Sequence, residues 1–139
     1  MELKIECRAF KANGVSQANH DKEISLNLWQ IEITLVEAQR VANWYCNYYD
    51  LPHIKVITGR GRQRKGAYVP ESSTWNISTP AVIKIDQDGY FMAVIVHEMA
   101  HHYEASIYHR TGHGPRFKQM HSMMLNKVQE MMKGMVWKS

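Results

Sequence analysis

Cysteine is scarce in this chain. Cys7 and Cys46 are the only two, too few for a disulfide framework or a four-cysteine zinc ribbon, and both sit in apolar-patterned segments. Long apolar runs are missing as well, since no window approaches the ~18 consecutive apolar residues that a membrane span needs. The opening "MELKIECRAF" has charges interrupting every apolar run, which argues against a secretory leader. No low-complexity tract and no internal repeat is present. These absences lead to the expectation of a soluble, cytoplasmic protein with no membrane partner. Neither sign of charge dominates: 17 Lys and Arg stand against 13 Asp and Glu, for a net charge of +4. That balance is compatible with nucleic acid as a partner without requiring it.

What is present fits one compact domain over residues 1–139. At this size folding removes roughly 68% of the unfolded chain's surface, so a hydrophobic core needs no staples. Leu3, Ile5, Cys7 and Ala9 alternate with Lys4, Glu6 and Arg8, the period of a half-buried strand. Ile24, Leu26 and Leu28 alternate in the same way beyond the loop "KANGVSQANHD", and the two segments are expected to form an N-terminal strand pair over 1–33. A helix follows in "TLVEAQRVANWYCNYYDLP". Thr34 and Glu37 have the spacing of a capping box, Ala38, Val41, Ala42, Tyr45 and Tyr48 recur at helical intervals, and Pro52 ends the pattern.

"HIKVIT", "AYVP", "TWNIS" and "AVIKI" read as short strands, punctuated by Pro70 and Pro80. "DQDGYFMAVIVHEMAHHYEASIYHR" reads as a helix with Asp86 or Asp88 near its start. Its apolar turns from Phe91 to Val96 mark it as buried. "TGHGP" breaks that helix, and a last one opens near Pro115 with Phe117, Met120, Met124, Val128 and Met131 on one stripe. The nine methionines suit core filling. The fold class is α+β.

Six of the eight histidines fall between His97 and His121. Packing gives no reason for such a concentration, but metal binding does. His97, Glu98 and His101 spell H-E-x-x-H on the buried helix. Residues four apart share a helical face, so both imidazoles can reach one ion with Glu98 beside it. Zinc suits such ligands and, in a catalytic site, keeps a fourth position for water. Downstream, His102 points away from His101 on the same helix, and Glu104 is only one turn beyond it. His109, two turns on, would lie about 12 Å away along a straight helix. His113 follows the "TG" break, where the chain can turn back. His121 on the last helix is also geometrically possible, and His113 is preferred.

"HEMAHH" followed by "GHGPRF" resembles the SprT-like (Spartan) metalloprotease domain, in which the third zinc histidine lies in a His-Gly-Pro-x-Phe-like segment. The resemblance spans roughly residues 34–133, the expected protease core, and is closest over 94–120. It implies a minimal zincin-like fold: a small antiparallel or mixed sheet, the H-E-x-x-H helix and flanking helices. It implies one Zn2+ held by His97, His101 and His113, with Glu98 as the catalytic glutamate. Ile107 stands where a metzincin would have a histidine. Family members often carry a zinc ribbon after the core, which two cysteines cannot build, and the N-terminal strand pair has no counterpart in the family core.

In such a peptidase the ion activates water and polarises the scissile carbonyl, while Glu98 moves the proton to the leaving amine. Tyr103, Tyr108, His109 and Arg116 are the nearby candidates to stabilise the oxyanion, and "TWNIS" or "AVIKI" to hold substrate backbone by strand addition. The loop "GRGRQRKG" sets Arg60, Arg62, Arg64 and Lys65 among glycines, a composition suited to phosphate contacts. With the resemblance, it leads to the expectation of a protein substrate and of DNA, single-stranded in the first instance, as partners. The expected activity is a zinc-dependent endopeptidase acting on DNA-bound or DNA-crosslinked proteins. An ordinary zinc peptidase and a non-catalytic zinc-containing binding module are the alternatives.

Overall fold

The structure is a computed structural model that describes residues 7–8, 28–59, 65–74, 77–132 and 137–138. Its elements in chain order are β1 (Cys7–Arg8), α1 (Leu35–Tyr49), β2 (Lys55–Thr58), β3 (Gly66–Val69), β4 (Ser72–Thr74), β5 (Ile77–Thr79), β6 (Val82–Ile85), α2 (Met92–Tyr108), α3 (Pro115–Met132) and β7 (Trp137–Lys138). The arrangement is the expected α+β class, with a small mixed sheet. Among the described residues no helix is long and apolar enough to cross a membrane.

Helix α1 begins and ends where its sequence signals lie. The Thr34 hydroxyl accepts from the Glu37 amide at 3.1 Å, and the Thr34 amide donates to Glu37 Oε1 at 2.8 Å, so both halves of the capping box form. Asp50 closes the helix in the left-handed region at φ 55°. Ala38, Val41, Ala42 and Tyr45 are buried as the pattern implies, but Tyr48 is 53% exposed. Tyr48 sits at the margin of the stripe, stacked on Trp44 with Lys127 Nζ 4.3 Å from its ring centre. Losing the cap in Thr34→Ala is expected to cost about 1 kcal/mol. Urea denaturation would detect this as a lower midpoint at unchanged slope, and an unchanged midpoint would show that tertiary packing alone holds the first turn.

The three-stranded sheet runs in the order β2–β6–β3, with β2 parallel and β3 antiparallel to β6. Ile83 and Ile85 of β6 are fully buried. The outer edge of β2 is covered by a side chain of α1. Gln39 donates to the Ile54 carbonyl at 2.9 Å and accepts from the Val56 amide at 2.7 Å. The other edge belongs to β3. The hairpin β4–β5 pairs separately and presents exposed side chains, Ile77 among them at 66%.

Helix α2 starts at Met92, later than the acidic residues Asp86 and Asp88 suggest. Phe91 occupies the N-cap position and makes no side-chain capping bond. The reason is non-local. Segment 31–33 runs antiparallel to 90–92, with Ile33 donating to the Tyr90 carbonyl at 3.0 Å and Met92 donating to the Ile31 carbonyl at 2.9 Å. An orphan amide that an aspartate would otherwise cap is thus satisfied by neighbouring backbone. Asp86 and Asp88 instead belong to the turn after β6, where the Gly89 amide donates to the Asp86 carbonyl at 2.8 Å. Only glycine fits at 89, because a β-carbon there would collide with the Lys65 carbonyl.

Helix α2 packs on β3, β6, α1 and α3, which places the H-E-x-x-H turns at the centre of the molecule. Pro115 opens α3 as expected, and Phe117, Met124, Leu125, Val128 and Met132 are its buried residues. The buried Tyr45 hydroxyl donates to the Met124 carbonyl at 2.8 Å, bonding α1 to α3. Of the expected N-terminal strand pair, Cys7–Arg8 is extended and pairs in parallel with Trp137–Lys138. Leu28 lies in a helical turn with Trp29 rather than in a strand, since it enters the bend leading to segment 31–33. The rest of that pair lies outside the described residues.

Candidate metal centre

His97 and His101 project from successive turns of α2 towards one point, and the loop 110–114 brings His113 to the same point. One ligand atom from each of the three lies within 4.8 Å of the others. His97 Nε2 and His113 Nε2 face each other at 3.4 Å, and the ring centres of His101 and His113 are 4.8 Å apart. Among the described residues this is the group that could hold a metal ion. His102 faces away, as expected. Buried to 3% exposure, it bonds through Nε2 to the Pro52 carbonyl at 2.8 Å and through Nδ1 to the Tyr68 hydroxyl at 3.2 Å. His109 closes α2 in the left-handed region at φ 63°.

The protonation chemistry fits a cation. Burial pushes the His97 imidazole down to about 4, and His101, His121 and His113 reinforce the shift. Burial likewise brings His101 down to about 4, with His113 adding to it. Both rings are therefore neutral near pH 7 and keep a lone pair for a metal. Phe117 forms the floor. It stacks on His101 at 4.3 Å and 22°, and meets His97 and His113 edge-on at 5.1 Å each. Its place on the apolar stripe of α3 was legible, but its role beneath all three rings was not.

Glu98 stands beside the three imidazoles and is 5% exposed. Its Oε1 is 3.9 Å from His97 Nε2. With Gly66, Ala67, Tyr68, His97, His101, Thr111 and His113 it lines a cleft of about 410 Å³. The strand against the cleft is thus β3, from "AYVP". "AVIKI" became β6, the central strand with both edges paired, while "TWNIS" is divided between the strands of the separate hairpin, Thr74 ending β4 and Ile77 and Ser78 lying in β5. Trp75 lies outside the described residues. Gly66 lets β3 approach closely, since a β-carbon there would stand 2.6 Å from Val94 Cγ1 and 3.5 Å from Glu98 Cγ.

A model of the SprT-like family matches residues 36–135, most of the chain and all of the site. The chain belongs to the SprT-like family. Membership marks this SprT-like chain as a metallopeptidase-like domain whose three clustered histidines could hold a metal ion. No curated protein and no solved structure matches it significantly.

The expected oxyanion donors do not line the cleft. Tyr103 packs edge-on against Tyr49 at 4.9 Å, Tyr108 lies under the Arg116 guanidinium at 3.6 Å, and Arg116 Nε bonds to Glu104 at 3.0 Å. Tyr68 does line it, and burial raises its hydroxyl to about 12. In the basic loop Arg60, Arg62 and Arg64 lie outside the described residues. Lys65 is exposed, with Nζ 5.9 Å from the Trp29 ring centre, and directly precedes the cleft-lining Gly66.

Proposed function

We propose that this chain is a zinc-dependent endopeptidase in which His97, His101 and His113 hold the ion and Glu98 is the general base. The observation that carries the reading is the convergence of three imidazoles and a buried carboxylate in one cleft bordered by an edge strand. Zinc in such a centre supplies Lewis acidity and a more acidic water. Glu98 takes the proton of the attacking water and returns it to the departing amine, a role that needs a carboxylate in reach of both. The outer edge of β3 receives an extended substrate segment by strand addition, which holds the scissile bond along the cleft. Tyr68 lines the cleft with its one hydroxyl proton donated to His102 Nδ1, because His102 Nε2–H is given to the Pro52 carbonyl.

The preferred targets are proteins bound or crosslinked to DNA. The sequence Arg60, Arg62, Arg64, Lys65 runs directly into Gly66 at the cleft, so phosphate contacts made there would present a DNA-bound protein to the site. Cytoplasmic, DNA-associated action follows from the same reading. The test is cleavage of a basic DNA-binding protein by the zinc-loaded enzyme with and without single-stranded DNA, with Glu98→Gln as control. Cleavage that needs DNA and disappears in the control is expected. Equal cleavage without DNA would leave an ordinary peptidase, and none in either case would leave a binding module.

A further inference from the structure

Glu104 has no place in the peptidase reading, yet it is 4% exposed and charged groups are seldom buried to that degree without a task. It lies one turn beyond His101 on α2. Oε1 accepts from the Gly112 amide at 3.0 Å, and Oε2 accepts from Arg116 Nε at 3.0 Å. The Thr111 hydroxyl is hydrogen-bonded to the same carboxyl, and Thr111 Oγ1 is 2.7 Å from His101 Nδ1. One side chain of α2 therefore grips the loop 110–114 at two successive residues and the start of α3 as well.

The direction of this chain of bonds follows from what each group can do. An ionised carboxylate only accepts, so Thr111 must donate its one proton to Glu104. Thr111 Oγ1 is then left as an acceptor, and His101 Nδ1 must carry the proton that it receives. A neutral imidazole has one N–H, so His101 Nε2 keeps its lone pair. Burial pushes the Glu104 carboxyl up. Hydrogen bonds from Thr111, Arg116 and Gly112, with the guanidinium charge, outweigh that and hold it below the ordinary value.

We infer that Glu104 and Thr111 are positioning residues for the metal centre. Through Thr111, Glu104 fixes the tautomer of His101, and through the Gly112 amide it holds the loop that delivers His113. The inference rests on the metal-binding reading above and deepens it. A carboxylate behind a histidine ligand commonly raises its basicity and fixes its ring. Here a threonine stands between the two, which lets one carboxylate serve ligands from two different segments. Arg116 completes the device by bridging Glu104 to the face of Tyr108 at 3.6 Å, so that the end of α2, the loop and α3 are held as one unit.

The test compares wild type with Thr111→Val, Thr111→Ser and Glu104→Gln as whole-chain proteins. Zn2+ affinity is read by competition with a chromophoric chelator, the His101 tautomer by long-range 1H–15N spectra of the metal-free protein, and folding by its thermal midpoint. Thr111→Val keeps the shape and removes the hydroxyl, and is expected to weaken Zn2+ binding about 10- to 100-fold. Thr111→Ser is expected to restore it, and Glu104→Gln to weaken it as Thr111→Val does. Wild-type His101 is expected to show a protonated Nδ1, a preference that Thr111→Val loses. Valine and wild-type proteins of equal affinity, or a wild-type His101 protonated at Nε2, would overturn the inference alone. Failure of serine to restore affinity would overturn the role of the hydroxyl. A folded wild type that takes up no Zn2+ would overturn the metal centre and this inference with it.

Discussion

Glu98→Gln is expected to lower the turnover number by about 10²- to 10⁴-fold while leaving metal affinity within about threefold of wild type. Glutamine preserves the volume of the side chain, which matters at a position 5% exposed and pressed between α2 and β3. It removes the one property the mechanism uses, because a neutral amide cannot take a proton from water at pH 7. The ligand cluster does not contain Glu98, so the ion has no reason to leave. Steady-state cleavage and chelator competition on the same preparation separate the two quantities. Retained turnover would mean that another group in the cleft is the base. Retained folding with lost metal would make Glu98 a ligand, and the H-E-x-x-H reading would fail at its centre. Glu98→Ala is the poorer variant, since it opens a hole beside Val94 and confounds chemistry with packing.

How much of this site the sequence carried depends on how local each signal is. The pairing of His97 with His101 is legible because four residues on a helix return to the same face, and α1 is legible because Thr34, Glu37 and Pro52 act within a turn or two. The start of α2 is not, since its first amide, that of Met92, bonds to the Ile31 carbonyl, some sixty positions away in the chain. A search for a capping aspartate finds Asp86 and Asp88 and stops too early. Strand roles are hidden for the same reason. "AVIKI" and "AYVP" have similar patterns, and only the pairing order makes one central and the other the edge beside the cleft. Glu104 is the instructive case. Weighed only as a ligand it is set aside, but its partners Thr111 and Gly112 belong to a loop, and Arg116 to the helix after it, whose return path no periodicity encodes.

The third ligand is where sequence reasoning left a choice, and it gives the second large effect. His113→Ala is expected to weaken metal binding by well over 100-fold, more than the loss of an outer-shell partner, whereas His121→Ala should change it by no more than about threefold. Proximity to His97 does not decide between them, because the ring centres of His113 and His121 lie 5.4 and 5.2 Å from it. Convergence does. His113 also approaches His101, at 4.8 Å between ring centres, and completes the cluster of mutually close ligand atoms. His121 instead stacks on Phe117 at 5.5 Å and 17°, supporting the floor rather than reaching the common point. His113 is exposed, so its removal should leave the thermal midpoint of the metal-free protein unchanged while abolishing the stabilisation that added Zn2+ confers. The reverse pattern, with His121 essential and His113 dispensable, would mean that the loop 110–114 does not bring its histidine to the ion and that α3 supplies the ligand directly.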